Sequence, residues 1–177
     1  MARDPFLISV SRLRRQLGAV QACAVSGPFD PTGELKAPSP GESDVPEGDE
    51  VTFDGTLETI PNGLIASGEV TGRWVGECRR CAEPLKGELA TEVRERYLEG
   101  VATGDDEAYP LEGDTIDLGP MIRDAIVLEL PLAPLCSQGC KGLCGQCGAD
   151  LNKDDCGCGD LLDPRWARLD VLRPDQG

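Results

Sequence analysis

Eight of the nine cysteines fall into four close pairs: Cys78/Cys81 in ECRRC, then Cys136/Cys140, Cys144/Cys147 and Cys156/Cys158. Eight thiolates are what two tetrahedral, all-sulfur zinc sites require. The stretch from Cys136 to Cys158, CSQGCKGLCGQCGADLNKDDCGC, holds almost no apolar residues and cannot fold by burying hydrocarbon, so metal ligation is the chemistry expected to shape it. There are no histidines, which makes any zinc site thiolate-rich and excludes His-based acid–base catalysis. Loop-closure entropy favours joining neighbours in sequence. Cys144, Cys147, Cys156 and Cys158 therefore form the second site, and Cys78 and Cys81 are left to meet Cys136 and Cys140. Gly145 and Gly148 let the chain curl around the metal.

Other chemistries compete for the same residues. Cys140, Cys144 and Cys147 read CxxxCxxC, the spacing of a radical-SAM cluster, but that class needs a large partial barrel after the motif and the sequence has no room for one. An iron–sulfur site remains open to all-thiolate ligands. So does a redox switch, because Arg79 and Arg80 would depress thiol pKa values. A site closed by four thiolates leaves no open position for water, and no phosphate loop, nucleophile elbow or spaced carboxylate pair is present, so no enzymatic activity is expected. Cys23 lies outside every pair and reads as a small core residue.

The elements that must position these cysteines follow from periodicity. Residues 51–60, VTFDGTLETI, place Val51, Phe53 and Leu57 on one parity, the period of a half-buried strand. After a Pro61-Asn62-Gly63 turn, the next run keeps Leu64, Ala66, Val70 and Trp74 inward, and its glycines suggest a bend or bulge. A third run has Leu89, Val93 and Tyr97 inside. CRRCAEPLKG lies between the second and third runs, which puts the first cysteine pair at a hairpin tip. Residues 117–130 read as a helix capped by Asp117, with Leu118, Met121, Ile122, Ala125 and Ile126 on its apolar face and Glu129 falling there too. This helix should pack on the sheet and deliver Cys136 to it. At the N-terminus a strand over Phe6–Val10 leads into a helical turn capped by Ser11, with Arg12, Arg14 and Arg15 as a solvated basic face. Near the C-terminus, Asp163 and Pro164 open a short amphipathic helix carrying Trp166, Leu169 and Leu172.

The organisation expected is a strand and short helix over 1–26, an acidic Pro/Gly-rich flexible linker over 27–50, a β-meander plus helix core over 51–135, and a cysteine-rich zinc lobe with a helix over 136–177. Residues 99–114 read as a second acidic loop. The fold class is α+β: a curved antiparallel β-meander, barrel-like or open, packed by one or two helices, with a C-terminal cysteine-rich zinc-binding lobe.

The formal net charge is −15, from 32 acidic and 17 basic side chains. Two Zn(Cys)4 units would take it to roughly −19. Such a chain is a poor general binder of phosphate backbones and suits a basic partner. With no apolar leader or membrane-length span, a reducing cytoplasmic setting is expected, where close cysteines hold metal more often than disulfides.

ECRRCAEPL at a hairpin, then IDLGPMIRDAIVLELPLAPLC, then CKGLCGQCGADLN and CGC together resemble the YceD family, the large ribosomal RNA subunit accumulation proteins. The joint pattern is far more specific than any one motif. The resemblance implies a cytoplasmic bacterial protein needed for accumulation or processing of large-subunit ribosomal RNA, without catalysis. Its expected partner is a ribosomal protein or a large-subunit rRNA precursor particle, with no membrane and no small-molecule substrate. The alternatives are direct RNA binding through Arg73, Arg79, Arg80 and Lys86 around the hairpin, with Trp74 more plausible as core than as a stacking group, and a thiol-based redox regulator.

Overall fold

The computed structural model describes residues 4–30, 43–101 and 108–159. In these residues seven strands form one curled sheet in the order β1-β7-β6-β5-β4-β3-β2. The strands are β1 (Leu7–Ser9), β2 (Val20–Pro28), β3 (Glu50–Ile60), β4 (Gly63–Glu77), β5 (Pro84–Leu98), β6 (Tyr109–Glu112) and β7 (Thr115–Asp117). Among the described residues one α-helix, α1 (Gly119–Glu129), follows β7. The sheet is mixed rather than purely antiparallel, because β5 and β6 run parallel through Tyr97↔Tyr109 and Leu98↔Pro110.

The long central strands carry the alternation their residues dictate. Val51, Phe53, Leu57, Leu64, Ala66, Val70, Leu89 and Tyr97 all point to the concave face and are buried. Against them α1 sets Leu118, Met121, Ile122 and Ile126, with Ala125 at the margin of the same core. Trp74 is half-buried and packs on this core, with its indole over Gly87, where a Cβ would sit 2.6 Å from Nε1. Gly55 faces Gly68 at close approach: a Cβ on Gly55 would lie 2.2 Å from the Ser67 carbonyl oxygen, a distance only glycine permits.

Several expectations change. Residues 19–26 carried no expected element, yet β2 runs through them; VQACAVSG is built from small residues and gives a weak period-two signal. The acidic loop expected over 99–114 contains β6 and the start of the β6–β7 turn, with 102–107 outside the described residues. Of the segment expected as a flexible linker over 27–50, residues 31–42 lie outside the described residues, but its ends are packed: Phe29, Ser43 and Val45 are buried, and Asp44 bridges Val75. The Ser43 hydroxyl donates to the Pro131 carbonyl at 2.7 Å. The N-terminal helical turn is a single 3-10 turn at Leu13–Arg15 without a capping side chain. Arg14 is not merely solvated, since its guanidinium donates to the Gly113 carbonyl and pairs with Glu99 and Asp114. Leu118 occupies the cap position of α1, while the Asp117 carboxylate accepts the Gly119 amide at 2.8 Å and so serves the same free donor. Glu129 is exposed, because α1 ends there and the apolar stripe passes instead to buried Leu130. The amphipathic helix expected at 163–172 lies outside the described residues.

Candidate metal centres

The sequence repeats one backbone device at two places. In the turn between β4 and β5, the Cys78 amide donates to the Glu83 carbonyl at 2.8 Å and the Ala82 amide to the Cys78 carbonyl at 2.8 Å. Sixty-six residues on (144 − 78), the Cys144 amide donates to Ala149 O at 2.8 Å and the Gly148 amide to Cys144 O at 2.9 Å. The residue after each second cysteine is left-handed, Ala82 at φ 57° and Gly148 at φ 72°. Each CxxC is thus folded into the same knuckle, whose inward amides meet the first sulfur. The amides of Cys136, Arg80 and Cys81 point at the Cys78 sulfur and bring its pKa down to about 6. Those of Cys147 and Gln146 do the same for Cys144, also to about 6.

The structure gathers the eight paired cysteines into two groups of four, Cys78, Cys81, Cys136 and Cys140, and Cys144, Cys147, Cys156 and Cys158, with the sulfurs of each group all within 4.8 Å of one another. In the first, which we call proximal, Cys78 and Cys140 sulfurs are 3.8 Å apart and Cys81 and Cys136 sulfurs 3.7 Å. A tetrahedron of thiolates at the zinc–sulfur bond length has edges of about 3.8 Å. A disulfide would bring the sulfurs to about 2.05 Å, and all nine cysteines are free. Donor type, number and spacing therefore suit a tetrahedrally bound soft divalent metal in both groups.

The two groups sit differently. The proximal one makes a small buried cluster of its own, apart from the main core: Cys78, Cys140 and Cys81 are only 2%, 3% and 9% exposed and Leu85 packs against them, while Cys136 is exposed. It joins the β4–β5 turn to the chain leaving α1, and the Arg79 amide donates to Pro134 O at 2.9 Å alongside. Without metal, Cys81 is pushed up to about 12: the Glu83 amide opposes the rise, while burial and the thiols of Cys78, Cys136 and Cys140 drive it. The distal group lies wholly beyond the core, with Cys147 and Cys158 exposed and Cys144 and Cys156 half-buried. Cys158 rises to about 12 because the Cys147 and Cys156 thiols crowd it. A hairpin links the groups, through the Leu143↔Asp150 bridge and Leu151 N–H donating to Gly142 O at 2.9 Å.

Two residues hold this junction in ways that residue type alone did not reveal. The Asn152 amide group donates to the Cys140 sulfur at 3.4 Å and to Asp150 Oδ1 at 2.8 Å, while its oxygen accepts the Lys141 amide at 2.8 Å. An asparagine five positions after a CxxC, in CGADLN, was the available signal. Arg80, expected as a nucleic-acid contact, turns its guanidinium onto the Cys140 carbonyl at 2.8 Å. Gly142 passes so close that a Cβ would stand 2.9 Å from Arg80 O. Of the other basic candidates, Arg79 is exposed at the knuckle, Arg73 stands opposite Glu88 and Lys86 opposite Val75 on the outer face of the sheet. Arg73 and Lys86 are diagonal neighbours there and share the face with Glu88, while Arg80 is held on the Cys140 carbonyl. Cys23 is buried in the main core, and burial raises its thiol pKa.

Comparison with known proteins gives a family match over residues 66–173, to the family described as Large ribosomal RNA subunit accumulation protein YceD. A Mycobacterium tuberculosis protein named only as uncharacterised is 32% identical over 97% of this chain and 84% of its own. A Bacillus subtilis protein, also named as uncharacterised, is 27% identical over 81% of this chain and 86% of its own. An Arabidopsis thaliana chloroplast protein, named large ribosomal RNA subunit accumulation protein YCED homologue 1, is 45% identical over 37% of this chain and 21% of its own. No solved structure matches.

Proposed function

The chain belongs to the YceD family of large ribosomal RNA subunit accumulation proteins, and we propose that within it this protein works as a non-enzymatic assembly factor in the cytoplasm, binding a ribosomal protein or an RNA–protein intermediate of the large subunit. Zinc in the two four-cysteine groups is its structural staple. With all four positions taken by thiolates, such zinc has no place for a reacting water. The proximal zinc clasps the sheet to the tail, and the distal zinc stiffens the tail.

The observation that carries the reading is the charge and its placement. A net charge of −15 repels phosphate and attracts a basic protein. Two of the basic residues nearest the knuckle are already matched within the protein: Arg80 is engaged with the Cys140 carbonyl and Arg73 stands opposite Glu88. This favours a protein partner over direct RNA binding through Arg73, Arg79, Arg80 and Lys86.

The test compares two ligands for the purified, zinc-loaded chain: total protein extracted from the large ribosomal subunit, and naked large-subunit rRNA. Binding to the protein fraction, weakening as salt rises, is expected. Binding to naked RNA that is lost on Arg79→Ala with Arg80→Ala would reverse the assignment.

A further inference from the structure

The protected and unprotected edges of the sheet differ. β1 has only three residues. β2 has nine, Val20–Pro28, and among the described residues its sole strand neighbour is β3. Soluble proteins guard a long edge with charges, an internal proline or a bulge. VQACAVSGP has no charged residue, no proline before its last position, and unbroken pairing with β3.

The direction of its backbone groups follows from the ladder. At one end of the β2–β3 register the Thr59 amide donates to Ala19 O at 2.9 Å, and at the other the Phe29 amide donates to Asp49 O at 2.7 Å. Bonded pairs in an antiparallel ladder recur every second residue. The odd-numbered residues of β2 therefore face β3, and Val20, Ala22, Ala24 and Ser26 turn their N–H and C=O groups outward. All four are exposed, and among the described residues nothing bonds to these groups.

The side chains beside this edge define the complement. On the outer face, Ala24 lies opposite Asp54, Asp54 opposite Glu69, and Glu69 opposite Glu92. All three acids are exposed, and like charges in directly opposed positions destabilise a sheet. Glu58 stands opposite Val20 in the same way. A strand added beside β2 would put its own residue opposite Ala24 two strand spacings from Asp54, about 9.6 Å. Only a methyl group intervenes, so a Lys or Arg stem can lie across it and bring its cation to the carboxylate. A second copy of this chain is the wrong occupant, because it would set two bodies of charge −15 edge to edge.

We propose that the free edge of β2 receives an extended, Lys- or Arg-bearing segment of a partner protein by strand addition, an inference that rests on the protein-binding reading above and names its contact surface. Main-chain hydrogen bonds hold the segment, and cations four residues apart, opposite Ala24 and Val20, reach Asp54 and Glu58 across β2.

The probe is a capped nine-residue peptide alternating Lys with Val. It is compared with the Glu–Val peptide and with the Lys–Val peptide N-methylated at alternate amides, by fluorescence anisotropy and by amide exchange of the full zinc-loaded chain. The Lys–Val peptide is expected to bind, to slow exchange at Val20, Ala22, Ala24 and Ser26, and to lose about tenfold in affinity on N-methylation. Ala24→Pro removes one outward N–H without touching a bond to β3, and should also cost about tenfold while leaving the zinc content unchanged. Ala24→Lys keeps every backbone donor and sets a cation where the partner's would lie, so it too should weaken the Lys–Val peptide. Absence of binding, or binding indifferent to N-methylation and to both variants, overturns the proposal. If wild type and Ala24→Pro bind the extracted large-subunit proteins equally, the edge is wrong and the assembly-factor reading stands. If neither binds them, that reading falls, and the peptide comparison still decides the edge.

Discussion

At the scale of single residues, the knuckles are governed by backbone conformation and by amides aimed at sulfur. Ala82 sits at φ 57° where its counterpart is Gly148 at φ 72°. An L-residue there costs about 1–2 kcal/mol that glycine avoids. Ala82 is exposed and gives up no packing on truncation. Ala82→Gly should therefore raise the stability of the zinc-loaded protein by about 1 kcal/mol in urea denaturation, and Gly148→Ala should lower it by a similar amount. The same amides fix the pH response. Cys78 and Cys144, with pKa values lowered to about 6 against an ordinary 9.0, are already thiolates at neutral pH in metal-free protein. Zinc binding then expels fewer than four protons per site above that pH, and one more below it. Affinity rises with pH throughout, and the slope of log Kd against pH should steepen as the pH falls below about 6; chelator competition across pH 5 to 8 measures it.

At the scale of elements, the two metal groups differ in what they join. The proximal group closes long loops, with Cys81 and Cys136 separated by 55 positions, and three of its four cysteines are buried. The distal group closes a short local loop in the open. Chelation should remove the distal zinc first, with the proximal zinc following only as the lobe opens. A chromogenic chelator should report two phases, and Cys147→Ser should abolish the faster one alone. Cys140→Ser should also disturb the sheet, visible as faster amide exchange in the β4–β5 turn. Within the sheet, Gly55 and Gly68 meet at close approach. Gly55→Val drives its side chain against Ser67 O and Gly68 Cα, and should destabilise by about 3 kcal/mol, read from the denaturation midpoint.

At the scale of the whole molecule, charge decides what the fold can meet. A net charge of −15 implies attraction to basic proteins that fades as the Debye length shrinks, so binding to large-subunit proteins should fall steeply between 0.05 and 0.5 M salt. The long central strands, the face of α1 and the pairing of the cysteines were legible from residues alone. Their alternation, helical period and CxxC spacing are local patterns that survive without knowledge of the fold. β2 was not legible, because a strand of alanines, serine and a lone cysteine leaves little hydrophobic contrast between its faces. The parallel step from β5 to β6 was hidden too, since it follows from where the chain returns and not from any residue in it. Arg80 looked like a free cation until the fold placed the Cys140 carbonyl beside its guanidinium. The sequence by itself determined the two sets of four thiols, the charge and the family, all of which depend on which residues are present and how they are spaced. Only the tertiary structure decided that one cysteine group is mostly buried and the other open, and that the free edge of β2 lies beside the acidic row, because burial and strand neighbours arise from contacts between residues far apart in the chain.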